Sequence, residues 1–443
     1  MHNYTREDIL QLVEEEDVAF IRLQFTDIFG MMKNMAVTVS QLEKALDNRC
    51  MFDVSSVEGL SCEEDSDMYL YPDPRTFEIF PWRPQQGKVA RLICDVYRPD
   101  GTPYEVDPRY VLKKAIAEAA EEGYTMNVGP ECEFFLFHTD DDGLPTTLTH
   151  EKAGYFDVGP LDLGENARRD MVLTLEDMGF EITSSHHEIA PAQHEIDFRY
   201  DEALVTADNL MTFKMVVKTI AKRHGLHATF MPKPRTETYG SGMHINLSLN
   251  RNGVNAFQSA DDKNGLSREG YYFIGGLMKH IKAITCITNP TVNSYKRFVP
   301  GYDAPVYIGW SSKTRGPLIR VPSGRGENTR IELRSPDSTA NPYLALAVLL
   351  MAGLDGIRNK IEPRDSIDRN IQKMTRQQRE ELKIDELPRT LKDAVDELEK
   401  DEFIQQVLGK DLAEKIIRAR RKEYQAYSMQ VTDWEITNYL HRV

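Results

Sequence analysis

The chain has 443 residues, of which 41% are hydrophobic, and carries a formal net charge of −16. Its length exceeds a usual single domain and its apolar share suffices for a sizeable core, so two domains of unequal size are expected rather than disorder. The acidic balance argues against nucleic acid and anionic membranes as partners, since both require basic patches.

Five cysteines, Cys50, Cys62, Cys94, Cys132 and Cys286, form no CxxC pair and no zinc motif. An odd count without paired spacing fits a reducing compartment. Residues 1–8 contain no apolar signal core, and the longest apolar segment, Tyr343 to Leu354, is too short to span a bilayer and runs into Asp355. A soluble, cytoplasmic protein is expected.

In chain order, Thr5 with Asp8 forms a capping pair that opens a helix to Glu16. Ile21, Leu23 and Phe25 alternate with Arg22, Gln24 and Thr26, which reads as a half-exposed strand. An acidic, turn-rich stretch runs from Glu63 to Pro74, and Val89 to Val96 reads as a second strand. Arg98-Pro99-Asp100-Gly101-Thr102-Pro103 is strong turn chemistry and marks a boundary, placing one domain over residues 1–104 and another over 105–443. Pro108 opens a helix through Glu122. Leu210, Phe213, Val217 and Ile220 form a helical stripe closed by Lys222-Arg223-His224-Gly225. Further helices cover Glu269 to Ile287 and Pro342 to Lys360, and the charged region from Thr375 onward is helical in pattern. A small mixed α/β domain followed by a large α+β domain is the expected architecture.

The chemistry resides in four stretches that put acids or a histidine on the polar face of strand-like runs. They are Glu131-Cys132-Glu133, Glu188 with Gln193-His194-Glu195, Gly242-Met243-His244, and Ile331-Glu332-Leu333. Alternation sets Glu131 and Glu133 on one face with Cys132 turned away, and groups His244, Asn246 and Ser248 on another. Five buried carboxylates on one sheet require cations between them, and oxygen ligands with one imidazole suit Mg²⁺ or Mn²⁺ rather than zinc. Arg297, Arg315, Arg320, Arg325, Arg330 and Arg334 fall in one glycine-punctuated stretch, and Arg330 and Arg334 bracket Glu332. Guanidinium groups take phosphates and carboxylates bidentately, so metals with arginines point to phosphoryl transfer. No GxxxxGK[ST] is present, which excludes a P-loop enzyme.

Asn293-Ser294-Tyr295-Lys296-Arg297, Gly240-Ser241-Gly242-Met243-His244, Ser185-His186-His187-Glu188 through Gln193-His194-Glu195, Asn341-Pro342-Tyr343, and Asp67-Met68-Tyr69-Leu70-Tyr71-Pro72 carry a close family resemblance. The sequence resembles type I glutamine synthetase over essentially its whole length, most closely the Gram-positive form. The resemblance implies an N-terminal β-grasp domain and a catalytic domain whose antiparallel, barrel-like sheet is flanked by helices. It implies one metal held by Glu133, Glu188 and Glu195, and a second held by Glu131, His244 and Glu332. Arg315, Arg320 and Arg330 would hold phosphates, with Ser248 near the nucleotide. Tyr239, Gly240, Arg297 and Arg334 would surround the glutamate substrate. Asp53, assisted by Ser56, Tyr155 and Glu188, would serve the ammonium site, with Asp303 as the flap acid. Asp53 would come from a neighbouring subunit of a homododecamer. The implied reaction is ATP-driven formation of γ-glutamyl phosphate followed by attack of ammonia, with two or more Mg²⁺ or Mn²⁺ per site.

This chain departs from the family pattern near the site. Val54 stands where glycine is usual, and a β-branched residue cannot adopt the backbone angles glycine can. Asp303 replaces a glutamate, Tyr239 an asparagine, Ala192 a glycine, Thr183 an acid and Cys62 an arginine tied to feedback control; Gln372 stands at the adenylylated tyrosine of the other subtype. These departures leave three readings open: a glutamine synthetase, a γ-glutamylamine ligase using another amine, and a weakly catalytic nitrogen sensor with transcription-factor partners.

Overall fold

The structure is a computed structural model describing residues 4–62, 66–83, 86–299, 301 and 304–443. The first helix, α1 (Arg6–Glu15), begins at the expected capping box, with Thr5 Oγ1 accepting from the Asp8 amide and Asp8 accepting from the Thr5 amide. There follow strands β1 (Val18–Thr26) and β2 (Met32–Thr38), helix α2 (Leu42–Leu46), and strands β3 (Cys50–Asp53), β4 (Asp67–Pro72), β5 (Glu78–Ile79) and β6 (Lys88–Tyr97). They form a sheet ordered β2-β1-β6-β4-β3 with β5 added on β6. The β1–β6 pair is parallel and the other pairs are antiparallel.

Two sequence expectations change here. The acidic, turn-rich stretch contains β4, whose Met68 and Leu70 are fully buried between charged turn residues. The β1 strand is not half-exposed, because Gln24 and Thr26 are buried. Its polar face packs on the second domain, where the Gln24 amide reaches Met215 Sδ at 3.5 Å.

The second domain opens with α3 (Pro108–Glu121), capped by Asp107 with proline at the first turn, and leads into the 15-residue strand β7 (Tyr124–His138). Helix α4 (Glu165–Asp177), strands β8 (Ile182–His187), β9 (Gln193–Phe198) and β10 (Asp201–Glu202), and helix α5 (Ala203–Arg223) come next. After β11 (Leu226–Thr229), β12 (Met243–Arg251) and β13 (Val254–Asn255) come helix α6 (Arg268–Thr288) and strands β14 (Trp310–Ser311), β15 (Ile319–Arg320) and β16 (Ile331–Leu333). The sheet runs β14-β15-β16-β12-β7-β9-β8 and is antiparallel except at β14–β15. Helix α7 (Pro342–Arg358) is buried from Pro342 through Gly356, which explains why an all-apolar run here is a core helix. It packs on α6 so closely that a Cβ at Gly276 would fall 2.1 Å from the Ala352 carbonyl oxygen. The charged C-terminal region forms α8 (Arg376–Glu381), α9 (Leu391–Lys400), α10 (Glu402–Leu408), α11 (Lys410–Ser428) and α12 (Asp433–Tyr439). Among the described residues no helix is long and apolar enough to cross a membrane, and all five cysteines are free.

One buried cation joins the two domains. Arg109 of α3, 2% exposed, donates to Asp73 at 2.9 Å, to Asp95 at 2.7 Å and to Asp208 of α5 at 2.9 Å. Burial raises the Asp73 carboxyl, but Arg75 and Arg109 together hold it far below the usual carboxylate range. Replacing Arg109 by Met leaves Asp208 without an ionic partner and Asp73 and Asp95 with only Arg75 and Lys113, and urea unfolding is expected to show a loss of about 3–5 kcal/mol. Because the folded pKa of Asp73 is depressed, its stabilisation is complete above the unfolded carboxylate pKa of about 4 and is lost as pH falls below it. Acid titration of the unfolding midpoint checks this sign.

Candidate active site

Register brings the acids of distant segments together. On β7 and β9, Glu131 lies opposite Asp197 and Glu133 opposite Glu195. On its other flank β7 sets Glu131 opposite His244 of β12, and β12 sets Asn246 opposite Glu332 of β16. Directly opposed residues have Cβ atoms about 4.5–5.5 Å apart, so these side chains form one continuous patch. Glu188 joins from the turn that follows β8, not from a strand.

Two trios result, each with its candidate ligand atoms within 4.8 Å of one another: Glu131, His244 and Glu332, and His186, Glu188 and Glu195. His244 Nδ1 is 3.2 Å from Glu131 and 3.7 Å from Glu332. Glu133 adjoins the second trio, its carboxylate accepting from the Gly242 amide at 3.0 Å and from Gln193 at 2.6 Å. Sequence reading missed His186, whose ring nitrogens lie 3.5 Å from Glu188 and 3.9 Å from Glu195.

The protonation pattern follows from charge crowding. Burial and the nearby Glu133 push the Glu188 carboxyl up to about 7. Burial, then Asp197, Glu133 and Glu188, push Glu195 up to about 12. Burial also raises Glu131, but its hydrogen bond to His244 and that residue's charge bring it down to about 2. Among the described residues no arginine or lysine pairs with the second trio, whereas Glu332 already accepts from Arg320 at 2.7 Å and from Arg334 at 2.6 Å. Oxygen donors, one imidazole per trio and uncompensated negative charge fit a hard divalent cation.

Around this patch the other expected residues separate into groups. Ser248, Glu131, Thr183, Asn246 and Arg330 line a cavity of about 620 Å³. Arg330 donates to Asn246 at 2.9 Å, and Asn246 donates to Glu131 at 3.0 Å. Glu133, Glu188, Tyr239, Gly240 and Arg297 line a second, much narrower cavity of about 20 Å³. Arg297 is 3% exposed and donates to the Ser335 carbonyl at 2.7 Å and the Arg334 carbonyl at 3.2 Å. Gly240 and Gly242 make room here, since a Cβ at Gly242 would fall 2.6 Å from Arg297 Nη2. Tyr239 packs on the small cluster of Phe135, Phe137, Ala190 and Ala192. Arg315 is exposed and acts on the Tyr155 hydroxyl, which also feels Glu188. Asp53 and Ser56 are exposed on the grasp domain, and Asp53 accepts from Ser55, whose amide lies 2.8 Å away. Asp303 lies outside the described residues.

Two departures have structural outcomes. Ala192 takes a left-handed φ of +67°, a conformation that costs an L-residue about 1–2 kcal/mol. Val54 is absent from the positive-φ residues and is fully buried in the core, so no glycine-like backbone is needed there.

A buried network behind the patch also escaped sequence reading. His187 Nε2 lies 2.6 Å from Glu151 and its Nδ1 2.6 Å from the Glu188 carbonyl. Both partners accept, so the imidazole donates at both nitrogens and is charged. Burial alone would lower the His187 pKa; Glu151 raises it. Glu151 also accepts from the Ala192 amide at 2.5 Å and the Leu163 amide at 2.8 Å. One carboxylate thus ties both ends of the turn between Glu188 and Glu195. Only a sequence-distant contact creates it, and no local pattern announces Glu151.

Family models described as "Glutamine synthetase, beta-Grasp domain" and "Glutamine synthetase, catalytic domain" match residues 17–99 and 105–439. A glutamine synthetase of Clostridium saccharobutylicum is 61% identical over 442 residues, covering 100% of both chains. One of Staphylococcus aureus is 54% identical over 438 residues, covering 99% of this chain and 98% of its own. Among solved structures, a GmaS/ADP complex superposes with a TM-score of 0.89 at 34% identity, covering 98% of this chain and 99% of its own. Plasmodium falciparum glutamine synthetase superposes with a TM-score of 0.88 at 26% identity, covering 99% of each chain. With its two matched domains, its antiparallel sheet and relatives similar from end to end, the chain belongs to the glutamine synthetase family.

Proposed function

We propose that the protein joins ammonia to the γ-carboxyl group of L-glutamate at the expense of ATP, forming glutamine, ADP and phosphate. The observation that carries this reading is the convergence of two acid trios beside a nucleotide-sized cavity, in a chain 61% identical over its whole length to a glutamine synthetase. The other two readings are not favoured, because full-length relatives at 61% and 54% identity are glutamine synthetases and no observation points to a transcription-factor partner. We assign residues 1–104 to the grasp domain and 105–443 to the catalytic one, a reading supported by the gap between the matched stretches 17–99 and 105–439. A cytoplasmic setting agrees with five free thiols.

Glu131, His244 and Glu332 would hold one divalent cation and Glu133, Glu188 and Glu195 another, Mg²⁺ or Mn²⁺. Bound there, such ions neutralise phosphate charge and bring the transferring group in line. The ATP base and ribose would occupy the cavity lined by Ser248, with Arg330 at its edge and Arg315 and Arg320 offered to the phosphates. Arg297, Gly240 and Tyr239 border the narrow cavity assigned to glutamate, which must widen to admit it, and Arg334 would join them in holding that substrate. The glutamate γ-carboxylate oxygen attacks the terminal phosphorus and ADP leaves. Ammonia then attacks the acyl carbon and phosphate leaves. Ammonium first loses a proton to a local carboxylate, and Asp53, assisted by Ser56, Tyr155 and Glu188, would supply that base. Asp53 and Ser56 would act from the grasp domain of a second copy, which makes a homo-oligomer, a dodecamer by resemblance, a condition of activity. Asp303 is assigned to the flap.

Glu332→Ala or Glu133→Ala is expected to reduce ammonia-dependent phosphate release by about a hundredfold or more, and retained turnover would remove the metal assignment. Mg²⁺ or Mn²⁺ is expected to raise the melting temperature of the wild type, by mass action on the folded state, and to raise it less in Glu332→Ala, which keeps only the Glu133, Glu188 and Glu195 site. Hybrid oligomers of Asp53→Ala and Glu332→Ala chains mixed equally should regain about a quarter of intact sites. Activity no higher than in either parent would show that Asp53 does not act across subunits.

A further inference from the structure

A second cavity, of about 610 Å³, lies between the grasp domain and the catalytic domain. Arg91 of β6 lines it, is 6% exposed, and has Nε and Nη1 buried without a hydrogen-bond partner. Among the described residues no carboxylate lies within ion-pair distance of Arg91. A buried guanidinium left without partners is costly, and native structures hold few such groups without a ligand or solvent to receive them.

The remaining charges define what fits. Arg75 is engaged by Asp73 at 2.8 Å, Arg199 by Glu181 at 2.7 Å, and Asp208 by Arg109 at 2.9 Å. That leaves Arg91 facing three acids of the lining, Glu78, Asp201 and Glu202. Glu78 sits opposite Arg91 in the β5–β6 register, and burial pushes its carboxyl up to about 7 despite that arginine. A phosphate or simple carboxylate would meet the guanidinium but be repelled by the acids. A ligand carrying both an oxyanion and an ammonium group satisfies both.

We propose that this cleft is a second amino-acid site, in which Arg91 takes the carboxylate of a small α-amino acid and Glu78 with Glu202 receives its ammonium group. The site is separate from the narrow cavity lined by Glu133 and Arg297. It shares Asn127, Glu181, Phe198, Arg199 and Tyr200 with the 620 Å³ cavity, so its occupant touches the walls of both. Coupling to ATP rests on the nucleotide reading of that cavity, whereas binding at Arg91 does not.

Isothermal titration of the whole oligomer, with ADP, Mg²⁺ and glutamate present, tests it using a panel of α-amino acids, propionate, ethylamine and inorganic phosphate. At least one amino acid other than the glutamate already present is expected to bind at one equivalent per chain. Arg91→Gln should weaken that binding about tenfold or more. No amino-acid binding, equal binding of propionate or phosphate, or unchanged binding in Arg91→Gln would overturn the site. Should Arg91→Gln fail to fold, the double change Glu78→Gln with Glu202→Gln decides, and unchanged affinity there overturns it equally. A bound amino acid that shifts the KM for ATP supports coupling; binding with no shift refutes the coupling and leaves the site standing.

Discussion

Glu131 and Glu133 face Asp197 and Glu195 across two hydrogen-bonded strands, so four carboxylates share a patch from which bulk water is largely withdrawn. At such spacing like charges in a low-dielectric setting cannot all ionise, and the molecule answers differently on its two sides. Around Glu332 it supplies arginines. Among the described residues no arginine pairs with Glu195, and burial with the neighbouring acids drives that carboxyl up to about 12. This asymmetry fits the proposed roles, the second trio as a receptor for an external cation and the first as a junction between a cation and the arginines offered to phosphate.

Holding acids in that unfavourable proximity requires a stiff support. The 15-residue β7 provides the backbone, with β12 and β9 hydrogen-bonded to it along the patch. Behind it Glu151 and the charged His187 fix the turn from Glu188 to Glu195, against the left-handed strain at Ala192. The buried α6–α7 pair anchors the opposite side of the domain. Stability invested in these elements is what permits electrostatic strain at the site.

The grasp domain is tied to the catalytic domain through Arg109 and its three aspartates, yet it presents Asp53 and Ser56 outward. A chain arranged in this way keeps part of its expected machinery on the exposed surface of its grasp domain. The cleft at Arg91 lies at the same domain boundary, where a bound molecule would adjoin the nucleotide cavity's walls.

Much of this was legible in residue order. Alternation placed Glu131, Glu133, His244 and Glu332 on polar strand faces, and the cap at Thr5 and the proline at 108 located helix starts, because both signals depend on neighbours in sequence. Glu151, His186 and Arg91 were not legible, because each matters through a partner or a missing partner that only packing defines. Gln24 and Thr26 read as exposed, since no local signal reveals a second domain lying over the strand. The sequence by itself determined which segments become strands and which faces bear charge, through alternation and capping. Tertiary structure alone decided which of those charges meet, which find arginines, and which are left waiting for a cation or ligand, since Coulomb energy depends on distance through space and on the water excluded around it.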